Sequence, residues 1–357
     1  MQNWQNRSGG DTSRVGKIRF VHSFQDIISI ENLLEAWEDF AVGKRSKLDV
    51  QEFENHLMDN IIRLHIDLRD QTYRHGGYHA FRISDPKPRQ IHKASVCDRL
   101  VHHAVHRLLY PFFDKIFVVD SFSCRLDKGT HAALNRFRDL ASKAGRNHTR
   151  TVWVLKCDIR KFFASVDQKI LLKILFERIP DDDIRWLLAE IVGSFNSGRL
   201  GVGIPLGNLT SQLFANVYLN ELDRFVKQDL RFSRYVRYAD DFVFLSPYQN
   251  ELLAILPIVS DFLRDELNLT THPDKIILQT FASGVDFLGW VHFSDHRVLR
   301  KTTEWRIFRR VAEHPSKGTI RSYLGLLSHG DTYRLREEVM NFSPRESYHF
   351  DTIKVPK

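Results

Sequence analysis

The sequence predicts an α+β protein, and three observations carry the prediction. Helix-like apolar spacing fills residues 24–70 and 95–113. Runs of β-branched and aromatic residues recur between 151 and 292. A basic, helix-like stretch begins at Arg297. The clearest of the strand runs is Arg234-Tyr-Val-Arg-Tyr-Ala-Asp-Asp-Phe-Val-Phe-Leu245. Two adjacent aspartates, Asp240 and Asp241, sit between runs that suit a pleated, half-buried surface, so the runs read as paired strands and the aspartates as their turn. Neighbouring strand side chains point to opposite faces, but a hairpin tip relaxes that alternation and can bring both carboxylates to one site. Two bare carboxylates about 4 Å apart repel by roughly 4 kcal/mol at an effective dielectric near 20. Such a pair makes sense if a divalent cation neutralises it, and hard oxygen ligands favour Mg²⁺ or Mn²⁺. An isolated Asp-Asp pair is more often a solvated turn, so the rest of the chain has to decide.

A chain of 357 residues can bury a sizeable core as one large or two medium domains. The net charge of +8 and pI near 9.3 point to a polyanionic partner, nucleic acid first. Cys97, Cys124 and Cys157 are widely spaced with no C-x-x-C, which argues against zinc or a disulfide framework and fits a reducing compartment. No apolar run reaches the length of a membrane span, so no membrane partner is expected. Residues 1–17 are polar, lack the apolar stretch of a secretory signal, and are expected to form a loose cytoplasmic tail.

In order along the chain, residues 24–70 read as helical. Asp49-Val-Gln-Glu52 has the form of a capping box, and Phe53, Leu57, Ile61, Leu64 and Leu68 follow as a core stripe. Gly76-Gly77 breaks the pattern before an extended segment, 78–83. Asp85-Pro-Lys-Pro-Arg89 is a tight turn that projects Lys87 and Arg89, either as a charged hairpin tip or as phosphate ligands. Residues 95–113 form a second helix whose His102, His103 and His106 lack carboxylate or cysteine partners at metal spacing and read as structural or surface residues. Residues 121–131 are short, basic and glycine-containing, ahead of a helix from Ala132. Arg125 and Lys128 could cradle an anion there.

Thr151–Cys157 is a buried-strand signal ending on Asp158, a third carboxylate for the Asp240-Asp241 turn, with Cys157 as strand packing. Asp167 reads as a helix cap. A glycine-rich loop, 201–208, runs into a helix carrying Thr210, Ser211 and Asn216. After the Asp-Asp hairpin come a helix over 251–267, a turn and strand carrying Lys275, and a hairpin-like pair over 285–292. Arg297, Arg300, Lys301, Arg306, Arg309 and Arg310 then cluster around Trp305 and Phe308, as a helical surface following a phosphate backbone or as a solvated helix face.

The order of a strand-end acid, a Gly-rich loop and helix, a Tyr-Ala-Asp-Asp hairpin, a lysine strand and a Phe-Leu-Gly hairpin resembles the reverse transcriptases from about Asp85 to Gly289. Ile204-Pro-Leu-Gly-Asn-Leu-Thr-Ser-Gln212 is most similar to the enzymes of diversity-generating retroelements and related bacterial defence systems. Most reverse transcriptases carry Gln and Pro where this chain has Leu206 and Gln212. The resemblance implies a right-hand polymerase fold of fingers, palm with antiparallel sheet, and helical thumb. Fingers and palm would occupy 18–295, and a basic helical thumb and tail 296–357.

It further implies that Asp158 and Asp240 bridge two Mg²⁺ ions, or Mn²⁺ in their place, with Asp241 and Ile159 completing the metal set. One ion lowers the pKa of a primer 3′-hydroxyl and the other stabilises pyrophosphate. Lys275 matches the lysine that protonates pyrophosphate. Arg125, Lys87, Arg89 and Lys128 would hold the triphosphate, and Phe163 would act as the steric gate that selects dNTPs. Leu206, Gly207 and Gln212 would line the nascent base pair. Leucine at 206 cannot hydrogen-bond there, and in the retroelement enzymes this departure accompanies misincorporation opposite adenine. About 68 residues follow Gly289, too few for a thumb plus an RNase H domain. The implied partners are a structured template RNA, its cDNA, and a small accessory protein or second subunit. Three functions stay open: retroelement diversification, antiphage defence by copying a noncoding RNA or priming from protein, and a non-catalytic RNA-binding scaffold.

Overall fold

The computed structural model describes residues 18–84 and 88–341. The expected tail over 1–17 and the end of the expected thumb and tail, 342–357, lie outside them. In chain order the elements are helices α1 (Phe24–Ile28), α2 (Ile30–Ala41), α3 (Leu48–Glu54) and α4 (Leu57–Arg69), strands β1 (His79–Ile83) and β2 (Arg89–Lys93), helices α5 (Val96–Asp114) and α6 (Gly129–Ala144), and strand β3 (Trp153–Asp158). Next come α7 (Phe162–Ser165), α8 (Gln168–Phe176), α9 (Asp182–Gly193), α10 (Leu209–Arg224), β4 (Tyr235–Tyr238), β5 (Asp241–Ser246), α11 (Gln249–Leu267) and β6 (Ile277–Thr280). Strands β7 (Val285–Phe287), β8 (Trp290–His292) and β9 (Arg297–Leu299) precede helices α12 (Lys301–Glu313), α13 (Lys317–Leu327) and α14 (Tyr333–Met340). The described residues divide into two compact units. Residues 18–83, 89–118 and 163–220 form the first, and 119–162 and 221–341, with 84 and 88, the second.

In the first unit, α2 lies along α5, with Leu33, Ala36, Trp37 and Phe40 buried on one side and Leu100, Val101 and Val105 on the other. Asn32 sits inside this contact and donates to Ile27 O at 2.7 Å and Ala104 O at 3.2 Å, so its burial leaves no amide proton stranded. The residue 24–70 stretch is four helices, not one. Asp49 is not a helix cap: Lys47 takes that place, and Asp49 pairs with Lys93 and Arg99 at 2.6 and 2.7 Å. The apolar stripe continues past Phe53 into α4, but the backbone breaks between Glu54 and Leu57. Side-chain caps start α5 and α8. Ser95 accepts from Asp98 N ahead of α5, and Asp167 accepts from Lys169 N and Ile170 N ahead of α8.

The second unit is built on a four-stranded antiparallel sheet in the order β4-β5-β3-β6. Both faces are covered, which is why β3 and β5 read as almost continuous apolar runs rather than alternating ones. Val154, Val236, Val243 and Leu245 join Leu134 and Phe137 of α6 in one core. The Phe244 ring meets those of Tyr235 and Phe242 with centroids 5.1 and 5.8 Å away. The expected strand pair over 285–292 forms as β7 and β8, but a third strand, β9, extends it. Arg297 therefore belongs to a strand and not to the basic helix expected there. It is 6% exposed, donates to His329 O and to Asn135 at 3.2 Å, and lies over the Trp290 ring. α6 starts at Gly129, three residues before Ala132. Ile307, Phe308, Val311, Leu327 and Val339 tie α12, α13 and α14 into the same core as the sheet.

Of the α5 histidines, His102 is buried and His103 and His106 are half-buried. His102 is fully buried, and its Nε2 lies 3.1 Å from His75 Nε2. Burial pushes its pKa down to about 3, and the neighbouring His75 acts in the same direction. A histidine held neutral in the fold but free to protonate near 6.5 when unfolded removes stability as pH falls. The unfolded state binds the extra proton between about 6.5 and 3. His102→Phe is expected to flatten the decline of the urea midpoint over that window, leaving the midpoint at pH 8 much less changed than at pH 5.

Candidate active site

β3 pairs with β5 so that Asp158 stands directly opposite Asp241. Directly opposed residues of an antiparallel pair hold their Cβ atoms roughly 4.5–5.5 Å apart. Asp240 occupies the turn between β4 and β5, and its carbonyl accepts from Ile159 N at 3.2 Å. The strand end is pinned on its other side as well. Asp158 O accepts from His272 N at 2.7 Å, and Arg160 N donates to Thr270 O at 2.9 Å. The three carboxylates predicted to meet are thus held at one end of one sheet by backbone hydrogen bonds.

Lys275 joins them. Its Nζ lies 2.7 Å from Asp158 Oδ1, from the short 3₁₀ turn that precedes β6. Burial raises the Asp240 carboxyl to about 6. The charges of Asp241 and Asp158 push the same way, and Lys275 opposes them. Asp158 is 6% exposed, while Asp240 and Asp241 are half-buried. Among the described residues no group of three or more His, Cys, Asp or Glu side chains is closed around a point ready to hold a metal. The donor types nevertheless suit a hard divalent cation: three carboxylates sit at one sheet end, and burial, with the charges of Asp241 and Asp158, already disfavours the ionised form of Asp240.

The other expected site residues fall into groups. Arg125 and Lys128 lie on the loop between 119 and α6. Arg125 Nη1 donates to Ser121 O at 3.0 Å, and Lys128 Nζ to Val119 O at 3.0 Å, with its charge over the Phe122 ring. Ser121 bridges to Arg237 of β4, so this loop flanks the Asp-Asp hairpin. Arg89 is exposed on β2, and Lys87 lies outside the described residues. Phe163 follows Asp158 by five residues, and its carbonyl accepts from Ile204 N at 2.8 Å. Leu206 O accepts from His92 N at 2.9 Å, and Asn208 Nδ2 donates to His92 O at 2.9 Å, so the glycine-rich loop is bound to β2. Gln212 is exposed on an otherwise buried stretch of α10. In the basic segment, Arg300 pairs with Asp286, Lys301 with Glu304, and Arg309 and Arg310 with Glu313. Lys301 and Arg309 are exposed, and Arg306 and Arg310 half-buried.

Sequence reasoning missed the support beneath the hairpin. Arg237 and Asp223 form a buried ion pair there, and Tyr235 Oη donates to Asp223 at 2.8 Å. Arg237 was visible as a lone charge inside an apolar strand run. Its partner, on the preceding helix, was not.

A helix-flanked antiparallel sheet with acids at its hairpin end is the palm of a right-hand polymerase fold. Telomerase from Candida albicans in complex with a telomeric RNA fragment shares it, with a TM-score of 0.53 and 12% identity over 79% of this chain and 59% of that one. The chain belongs to the reverse transcriptase (RNA-dependent DNA polymerase) family, whose model matches residues 84–292, more than half its length. By family it is an RNA-directed DNA polymerase, and such domains work with divalent metal ions. Protein YkfC of Escherichia coli (strain K12) is 25% identical over 274 residues, 66% of this chain and 69% of YkfC. Group II intron-encoded protein LtrA of Lactococcus lactis subsp. cremoris is 25% identical over 176 residues, 47% of this chain and 28% of LtrA. The putative COX1/OXI3 intron 2 protein of Saccharomyces cerevisiae is 24% identical over 251 residues, 50% of this chain and 29% of its own length. The chain thus spans under a third of either intron protein.

Gly207 has φ +115°, and a Cβ there would lie 2.7 Å from Ile91 Cγ2. Gly207→Ala is expected to destabilise the protein by about 1–3 kcal/mol, from backbone strain and overpacking against β2. Chemical denaturation measures this directly.

Proposed function

We propose that this protein is a primer-extending reverse transcriptase that copies a structured RNA into cDNA, and that its setting is a diversity-generating retroelement. The observation that carries the catalytic reading is Asp158 facing Asp241 across β3 and β5, with Asp240 at the same sheet end. Asp158, Asp240, Asp241 and Ile159 would hold two Mg²⁺ ions. When bound, these ions supply a lowered pKa for the primer 3′-hydroxyl and a counter-charge for the leaving pyrophosphate. The chain's own residues do the rest. Lys275, already beside Asp158, gives a proton to the departing pyrophosphate. Arg125 binds the triphosphate, with Lys87, Arg89 and Lys128 as candidates. Phe163 lies under the sugar and excludes a 2′-hydroxyl. Leu206, Gly207 and Gln212 face the new base pair, and Arg300, Lys301, Arg306, Arg309 and Arg310 follow the duplex backbone from the thumb. Arg297, buried in β9, leaves that surface.

The retroelement setting is supported by Leu206, which offers no hydrogen bond to a nascent base pair or its sugar. The similarity to a group II intron-encoded protein favours a retroelement origin in general. An antiphage role would use the same chemistry. Neighbouring genes separate the two: a variable repeat pair with its target gene marks the first, a noncoding RNA within a defence island the second. The non-catalytic scaffold is disfavoured by three intact carboxylates at one sheet end.

Purified protein with an RNA template, annealed primer, dNTPs and Mg²⁺ is expected to extend the primer. Asp240→Asn should lower the rate by at least ~10³-fold, because an acid that would hold the metal loses its charge. Comparable extension by the variant sinks the two-metal reading. Leu206→Gln is expected to reduce errors opposite template adenine without changing other positions. Sequencing cDNA made by both enzymes from one template checks this, and matching error spectra reject it.

A further inference from the structure

We propose that Arg237 is a positioning residue for the polymerase reaction: its buried guanidinium holds the Ala239 peptide in the left-handed conformation that presents Asp240 and Asp241. The proposal rests on the catalytic reading above and names a residue that acts through the hairpin rather than on substrate.

The geometry is specific. Arg237 is 1% exposed and Asp223 is 0% exposed. Arg237 Nε and Nη2 reach Asp223 Oδ1 and Oδ2 at 2.7 and 2.6 Å, a fork that fixes the plane of the guanidinium. From that fixed plane Nη2 also donates to Ser121 Oγ at 2.9 Å, and Nη1 to the Ala239 carbonyl at 3.1 Å. The main chain of Arg237 is held too: its N donates to Asp120 O at 2.9 Å, and its O accepts from Phe122 N at 3.0 Å. Asp120 is itself locked by Arg136 and Lys227.

Ala239 has φ +53°. A residue with a Cβ adopts this region at a cost, and such strain persists only where surrounding structure imposes it. The Ala239 carbonyl belongs to the peptide that leads into Asp240, so the Nη1 hydrogen bond sets the orientation of that peptide. The positive charge also lies within electrostatic reach of Asp240. A buried ion pair is weak evidence of stability, since well-packed apolar residues of similar volume often replace one without loss. Stability and positioning can therefore be separated by mutation.

The test uses the Arg237→Met/Asp223→Leu double variant, which removes both charges together. It is expected to unfold cooperatively and to bind an RNA–DNA duplex within about threefold of wild type, while its single-turnover rate falls at least ~100-fold with the dNTP KM little changed. Amide hydrogen exchange should accelerate at residues 239–241 and stay slow in β3 and α6. Adding Ala239→Gly should recover at least ~10-fold in rate, because glycine takes positive φ without the restraining bond. A general packing defect would not be rescued at that position. Arg237→Lys, which keeps the buried charge but loses the fork, serves where the double variant does not fold, and should show the same local exchange and rate loss.

Wild-type rate in the folded variant, exchange that rises evenly across the sheet, or no recovery with Ala239→Gly overturns the proposal. The exchange measurement needs no turnover. A wild-type protein that extends no primer sinks the polymerase reading, while local exchange at 239–241 still decides the role of Arg237.

Discussion

The antiparallel pairing of β3 with β5 is the constraint on which the rest of this molecule depends. Asp158 and Asp241 face each other because six consecutive residue pairs, from Trp153–Ser246 to Asp158–Asp241, keep one register. A slip of one residue would turn every side chain of a strand to the opposite face and separate the carboxylates. The buried residues Val154, Leu155, Cys157, Phe242, Phe244 and Leu245 hold that register, since each has a defined face against a helix or a neighbouring ring. The placement of the two carboxylates is thus a by-product of core packing.

The same sheet end concentrates features that local chemistry disfavours. Three acids share that sheet end, one of them held above its ordinary range. A non-glycine residue sits at positive φ, and a charged pair is buried beneath. Each carries a free-energy cost that the surrounding apolar core offsets, and each is tolerated because the surroundings over-determine it. Arg237 and Asp223 illustrate the balance. Their desolvation is severe, but the fork between them fixes a guanidinium whose remaining donors can then orient a turn.

The strands and the acids were legible for physical reasons. A fully covered sheet demands long apolar β-branched and aromatic runs, and 151–157 and 234–245 could hardly be anything else. An acid closing such a run has few explanations. Asp167 was readable because capping is local chemistry. Other features were hidden. Nothing near Asp49 indicates that Lys93 and Arg99, some 45 residues on, would claim it from a capping role. Arg297 carries the same charge as the arginines after it, yet β9 draws it inside, where His329 O and the Trp290 ring receive it. The break between α3 and α4 leaves the apolar stripe intact and so left no mark on the periodicity.

What the residues determined unaided was chemistry at short range: which segments prefer strand or helix, where caps and turns fall, and which carboxylates had reason to meet a cation. These follow from neighbours within a few positions, where backbone sterics and side-chain spacing act directly. Only the tertiary structure decided which distant groups share a partner, namely Lys275 on Asp158, Asp223 under Arg237 and Asp286 on Arg300. Such pairings depend on how strands and helices are brought together by the burial of apolar surface, which is non-directional and does not name its partners in advance.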